Sequence, residues 1–595
     1  MGVLKAKGVV YRPVDEVDLG PESDEFYLHP EVKAPRMAGL VVKVFAWCLE
    51  LPILGDILLY FLKRNNLIHK LVSFADIQEP PLFVPSHPYK GIVEKEVKCI
   101  DSDLSPPQKV QHAFDCIQSS LENVPKNIPP LNFRRWTVLD YTKAYTSRET
   151  TPTMVARRFI ACVQDSSSPK MKMSFFINYN VEDILTQAAE STLRYERGEP
   201  ISVLDGVPVA VKDEIDCMPY PTTGGTKWMH KVRQCNKDAC CVNRLRSCGA
   251  IIVGKTNMHE LGAGISGINP HYGAARNPYD KNKITGGSSS GSAAVVAAGL
   301  CPVALGVDGG GSVRLPAALC GVVGFKPTFA RVPLDGVLPI NYTVGMIGIL
   351  AATVEDSLIA YAAMAGNLVP SDHSSITVPK IDLPLLKSAN YTSSDMKIAK
   401  YGKWFDDCSD DIRICCSNAV AELSNKYGWK TVDVTIPEIE VMRLSHYLTI
   451  GSECSQSIAT YLDKNKEELG WDVRVGLSVY GSFHSHEYLN AQKIRNRQLR
   501  FHQKIFSIAD VIVTPTVGKQ TALVRFQIAG NFLGLPAVTI PIGYNKSGLP
   551  IGLQFIGKPW SESMLIYIAS AMQALCITEC KKPEVFYDLL AKEQN

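Results

Sequence analysis

The sequence predicts an α/β fold behind an N-terminal helical extension, on two observations. From about residue 200 onward, short apolar runs (VPVAV, AIIVG, CPVALGV, DVIVTPT, AVTIPI) alternate with stretches of helical length and composition such as SMLIYIASAMQAL, the pattern of strands and covering helices in an α/β sheet. Near residue 80 the composition changes: the most hydrophobic part of the chain, RMAGLVVKVFAWCLELPILGDILLYFLKRNNLIHKLVSF, gives way to QEPPLFVPSHPYKG, whose prolines read as an extended connector. The last two apolar runs look integral to the same sheet. The expected division is therefore an extension over 1–130, with an apolar hairpin at about 37–74 and the proline-rich connector, followed by one large domain over 131–595.

Each part of the extension has its own reason. A spanning helix needs about 20 residues with few charges, whereas Lys43, Glu50 and Asp56 interrupt the apolar run and Pro52 breaks it. The expectation is two short helices in a hairpin. On the first, Arg36, Gly39, Lys43, Ala46 and Glu50 share a narrow stripe, and Leu40, Val41, Val44, Phe45, Trp47, Leu49 and Leu51 cover the rest. Such a hairpin can lie in one membrane leaflet, or it can be buried against the core or a second protomer. No signal-peptide h-region precedes it, and Ala6 stands where a myristoylation motif beginning Met1-Gly2 needs Ser or Thr.

Composition narrows the function classes. With 595 residues, 46% hydrophobic and 20% charged, the chain is a large globular protein. A net charge of +3 without like-charge runs offers nucleic acid no basic stripe, so no nucleic-acid partner is expected. The 17 cysteines include no CxxC pair and no His/Cys spacing suited to zinc; they read as reduced core thiols, and no metal is expected.

Several motifs in the large domain fail on context. Gly262 to Gly267 spells GxGxxG, but the proline-bearing INPHYGAARNP follows instead of a helix. Val209–Lys212 imitates the kinase lysine strand, without a preceding glycine loop or an HRD. Gly287 to Gly291 spells GxSxG, but the charged ARNPYDKNKIT precedes it where a nucleophile elbow needs a buried strand. Gly306 and Gly311 have P-loop spacing, yet Ser312 occupies the lysine position.

Three features survive together: Lys212 at the end of VPVAV, the run GGSSSGS, and VDGGGSVR ending its glycines at Ser312. Singly, each is ordinary, since lysines are usually solvated and glycine-serine runs are usually linkers. Together they suit a serine nucleophile with a desolvated lysine as base, a hydroxyl relay between them, and glycine amides aimed at a developing oxyanion. This chemistry requires no histidine and no cofactor.

DGVPVAVKDEID followed by GGSSSGSAAVVAAGLCPVALGVDGGGSVRLPAALCGVVGFKPT resembles the amidase signature family, and the resemblance runs from about Trp136 to the end through VTPT and GLPAVTIPIG. It implies a large mixed β-sheet covered by helices on both faces, and amide cleavage by a Ser-(cis-Ser)-Lys triad. In this sequence Ser312 matches the acylated nucleophile, Lys212 the general base, and Ser288 the bridging serine, with a cis peptide expected after Gly287. Gly309, Gly310, Gly311 and Ser312 match the oxyanion hole, Ser289 a secondary hydroxyl, and Asp308 and Arg314 residues that hold the loop. Many members carry Thr where this chain has Gly309.

The same triad serves small amides, glutamine and long acyl amides. The long prelude with an apolar hairpin and a proline-rich connector resembles the plant fatty acid amide hydrolase branch of the family. That likeness implies a lipid amide substrate such as an N-acylethanolamine, a membrane surface as partner, a homodimer, and a place on the cytosolic side of the endoplasmic reticulum and plasma membranes. The alternatives are a soluble amidase, a catalytically silent membrane-docked scaffold, and one component of a glutamine-dependent aminoacyl-tRNA amidotransferase.

Overall fold

Val303–Asp308 and Pro208–Lys212 are short apolar strands, buried at every residue. Burial on both faces suits parallel pairing under helices on each side. They lie side by side and parallel, with Val209 opposite Val303 and Val211 opposite Leu305. Around them a computed structural model, describing residues 8–29, 37–88, 97–121, 133–367, 378–386, 395–519, 523–576 and 580–591, builds one mixed sheet of eleven described strands. From one edge the order is Lys430–Asp433, Lys397–Lys400, Val511–Pro515, Pro550–Gly557, Ala537–Tyr544, Val323–Lys326, Met346–Ala351, Val303–Asp308, Pro208–Lys212, Ile251–Thr256 and Phe176–Asn178. The five apolar runs singled out in the sequence all form strands of this sheet, and SMLIYIASAMQAL lies in the helix Glu562–Cys576.

The helix Ser290–Ala297 is buried at every position and built from SGSAAVVA. Small side chains let it sit close to the sheet, and Gly306 supplies the matching gap: a Cβ there would lie 2.7 Å from Ser289 Oγ. On the far side of the site runs the long helix Ile439–Asn465, packed against the helices Trp471–Gly481 and Ser485–Ile505.

The extension is stitched into this body more tightly than its composition suggests. Val97–Ile100 pairs antiparallel with Ile381–Pro384. Tyr11, Ile68, Leu71 and Val72 join a second core with Trp404 and Phe532. The connector is extended, as its prolines predict; Leu82 N donates to Gln492 O and Arg495 Nη1 to Phe83 O, which lays it along Ser485–Ile505. Gly91 at its end, Arg36 of the hairpin stripe and the Met1-Gly2 motif lie outside the described residues.

The hairpin forms as α1 (Leu40–Glu50) and α2 (Leu54–Asn65), bent 106° at the break around Pro52. Its polar stripe faces inward. Glu50 accepts from Arg474 Nε at 3.0 Å and pairs with Lys466 at 3.3 Å, Ala46 is fully buried, and Lys43 Nζ sits 5.1 Å from the centre of the Trp471 ring. The remaining apolar face points away from the body: Leu40 is 72% exposed and Ile53 74%, and Val41, Ile57 and Phe61 are exposed with them, while the half-exposed Trp47 packs edge-on against Trp471. Leu49 and Leu59 are exceptions, because they pack inward where α1 and α2 meet the protein. No single described helix is long and apolar enough to cross a membrane.

Candidate active site

Parallel neighbours end at the same edge of a sheet, and ligands of open α/β sheets collect beyond those carboxyl ends. Lys212 closes one strand and Asp308 its neighbour, so the lysine and the glycine loop meet although they are far apart in sequence. Lys212 is fully buried; its Nζ donates to Ser288 Oγ at 2.8 Å and to Val307 O at 3.2 Å. Nζ also lies 2.7 Å from Glu214 Oε2, an ion pair buried on both sides. The Gly287–Ser288 peptide is cis. Ser289 sits deeper: its amide donates to Ser312 O at 3.1 Å and its hydroxyl to Val307 O at 3.4 Å. Lys212, Ser288 and the loop are thus one hydrogen-bonded unit, with Ser289 tying the serine run to the loop.

Asp308 organises the loop. Its Oδ1 accepts from Gly311 N at 2.6 Å and its Oδ2 from Val313 N at 3.1 Å. Arg314 donates to both oxygens, through Nε and Nη2, each at 3.0 Å. The rest of the guanidinium reaches Gln554 Oε1, Gln527 O and Asn531 Oδ1, so all its donors are matched inside the protein. Burial pushes the Asp308 carboxyl up, but the Arg314 guanidinium, with Lys326 nearby, outweighs it and holds the group well below the ordinary carboxylate range. Gly311 has φ 110°, and a Cβ there would collide with Gln527 Oε1, so no other residue fits.

This arrangement alters the expected donor set. The Gly311 amide, counted among the oxyanion donors on the sequence, is already committed to Asp308. Gly309, Gly310 and Ser312 remain, and among the described residues the Gly310 and Ser312 amides donate to no protein acceptor. Ser312 and Gly310 are partly exposed, whereas Lys212, Ser288 and Asp308 are buried. A substrate carbonyl can therefore reach the hydroxyl and the open amides from outside while the lysine stays behind them.

Arg314→Met tests the loop's frame. It leaves Asp308 as an uncompensated buried carboxylate, which costs roughly 3–5 kcal/mol, and a urea titration should show the midpoint fall accordingly. The depressed Asp308 also links stability to pH: the contribution is fully present above about pH 4, the unfolded carboxylate value, and is lost as pH falls through the lower folded value. An unchanged midpoint would mean that the pair does not hold the loop.

Sequence reasoning missed three neighbours. Glu214 lies two positions after Lys212, in the turn closed where Ile215 N donates to Lys212 O, so its nearness in sequence was the one signal for it. His446, whose Nε2 lies 2.8 Å from Gly309 O, had none. Asn341 crowds Gly309, where a Cβ would lie 3.0 Å from its Nδ2 and 3.2 Å from Ile450 Cδ1; the space a threonine would need is filled. The GxGxxG run dismissed for dinucleotides lines the site instead, since a Cβ on Gly262 would lie 3.6 Å from Ser288 Oγ. Among the described residues no group of three or more His, Cys, Asp or Glu could hold a metal, and the cysteines form no disulfide.

Comparison with known proteins places this geometry. The family model described as Amidase matches residues 162–566. A fatty acid amide hydrolase of Arabidopsis thaliana is 41% identical over 98% of this chain and 99% of its own length. A glutamyl-tRNA(Gln) amidotransferase subunit of Koribacter versatilis is 31% identical over 73% of this chain and 97% of its own. Among solved structures, the native peptide amidase from Stenotrophomonas maltophilia superposes with a TM-score of 0.64 at 26% identity, covering 77% of this chain and all of that one.

Proposed function

The chain belongs to the amidase family and is an amide hydrolase, and from that premise we propose that it cleaves fatty acid amides such as N-acylethanolamines to free fatty acid and amine. The observation that carries the substrate reading is the orientation of the hairpin, with its charged stripe docked on the body and its apolar face turned out. Long-chain acyl amides partition into bilayers, and an enzyme that acts on them gains from an apolar surface that enters one leaflet. Similarity to the Arabidopsis fatty acid amide hydrolase over 98% of the chain supports the same substrate class, whereas similarity to the Koribacter amidotransferase extends over 73%.

In the proposed mechanism Ser312 Oγ attacks the amide carbonyl. Its proton passes to Ser288 Oγ as Ser288 gives its own to neutral Lys212, 2.8 Å away. The carbonyl oxygen gains negative charge and is held by the Gly309, Gly310 and Ser312 amides, which need no reorganisation as the charge develops. The relay then runs backward to protonate the leaving nitrogen, the C–N bond breaks, and an acyl ester on Ser312 remains. Water attacks that ester through the same relay and releases the fatty acid. A homodimer on the cytosolic face of the endoplasmic reticulum and plasma membranes goes with this reading.

A variant with Ile53, Ile57 and Phe61 replaced by serine tests it; these side chains are exposed, unlike Leu59. If each contributes even about 1 kcal/mol on entering lipid, vesicle binding weakens about 100-fold or more. Hydrolysis of vesicle-borne long-chain acyl ethanolamides should fall with it, while a short soluble acyl amide is still turned over at the wild-type rate. Equal loss on both substrates with unchanged liposome co-sedimentation would contradict the membrane role. A wild-type preference for short amides over the long-chain series would contradict the substrate class.

A further inference from the structure

One of the amides assigned above to the oxyanion belongs to a peptide with no side chain of its own to hold it. Gly309 and Gly310 flank that peptide, and glycine is the residue least able to keep a backbone orientation unaided. Outside help comes from His446 on the helix Ile439–Asn465, a ring that is only 4% exposed and whose Nε2 lies 2.8 Å from the Gly309 carbonyl oxygen. A carbonyl only accepts, so Nε2 carries the proton and donates. Burial pushes His446 down to about 4, so the ring is neutral near pH 7 and keeps this single tautomer.

The geometry of a peptide unit then fixes the consequence. The Gly309–Gly310 bond is trans and planar, so its C=O and N–H point in opposite directions. Holding the carbonyl toward the helix aims the Gly310 N–H away from it. The same helix face continues the clamp: Ile450 reaches within 3.2 Å of the Cβ position of Gly309, and Glu453 Oε2 accepts from Thr343 N at 3.0 Å in the loop that carries Asn341. Residues 446, 450 and 453 follow the i, i+4, i+7 spacing of one helical face.

We propose that His446 is a positioning residue for the oxyanion hole, its Nε2–H anchoring the Gly309 carbonyl so that the Gly310 N–H is preset toward the oxygen of the tetrahedral intermediate. The proposal rests on reading residues 309–312 as that hole, and it gives His446 no contact with substrate and no part in proton transfer.

The test compares His446→Phe, which removes the donor, with His446→Gln, which replaces Nε2–H by an amide N–H at similar reach. The full-length variants are assayed with a short soluble acyl amide and with a trifluoromethyl ketone of the same acyl chain, whose adduct with the serine places an anionic oxygen in the hole. Removing a direct donor costs about 10²–10³ in kcat, so misaiming one should cost about 10- to 100-fold. His446→Phe should lose kcat by that factor at nearly unchanged KM, with trifluoromethyl ketone affinity falling in parallel, and His446→Gln should recover most of both. The proposal is overturned if His446→Phe keeps wild-type kcat and ketone affinity, if KM rises as much as kcat falls, or if a folded His446→Gln performs no better than the phenylalanine variant. Should His446→Phe not fold, His446→Gln and a His446→Met variant supply the same contrast. Full activity in Ser312→Ala would overturn the reading of the loop itself, whereas an inactive Ser312→Ala beside a normal His446→Phe would overturn only the role of His446.

Discussion

Ser312→Ala is expected to abolish hydrolysis, lowering kcat by about 10⁴-fold or more, as loss of a nucleophile does elsewhere. Stability should barely change. The loop is held by Asp308 and Arg314 through backbone amides and the guanidinium, and none of those bonds uses the Ser312 hydroxyl. The substitution also keeps the residue's own N–H, so the oxyanion site survives and binding of a substrate or a non-reacting analogue should persist. Neither neighbour can replace the lost hydroxyl, because Ser288 is bonded to Lys212 and Ser289 is buried against Val307. Single-turnover kinetics together with a thermal unfolding curve checks both halves of the expectation. Residual turnover within about tenfold of wild type would place the nucleophile elsewhere.

Lys212→Ala carries the second large effect, a loss of about 10²–10⁴-fold from removing a general base, and it should change the shape of the pH profile. Only a neutral amine can take the serine proton. In the structure Nζ donates to two oxygens and pairs with Glu214. The dependence of wild-type turnover on pH should therefore include a limb that the alanine variant lacks. A Lys212→Ala profile with the wild-type shape would show that the base is another group.

Much of this arrangement was legible in the chain because its causes are local. Apolar runs without polar alternation mark strands buried on both faces, and the five named all proved to be strands of the large sheet. The hairpin stripe was legible for the same kind of reason: Lys43, Ala46 and Glu50 recur at helical spacing, and these residues face the body. Long-range pairing was not legible. Nothing near Val97–Ile100 announces a partner at Ile381–Pro384, so the segment read as part of an appendage although it is paired with the body.

The site divides along the same line. Lysine, serines and glycines stood out because each is costly or odd where it occurs, and adjacent parallel strands then brought them together. His446 was invisible, because a histidine inside a long helix carries no local sign of the carbonyl it will meet. The Gly311 amide was assigned too simply: counting glycines counts candidate donors, but only the fold shows that Asp308 has taken one of them. Leu59 likewise shares the composition of the exposed hairpin residues, and only the packing of α2 turns it inward.

The most direct test of the mechanism is to quench the wild-type enzyme during turnover of a long-chain N-acylethanolamine and map the covalent acyl group by peptide mass spectrometry. The predicted result is an adduct with the mass of the fatty acyl chain on Ser312, absent from Ser312→Ala and accumulating when a slowly deacylating substrate is used. An adduct on Ser288 or Ser289, or full turnover with no acyl-enzyme at any quench time, would contradict it.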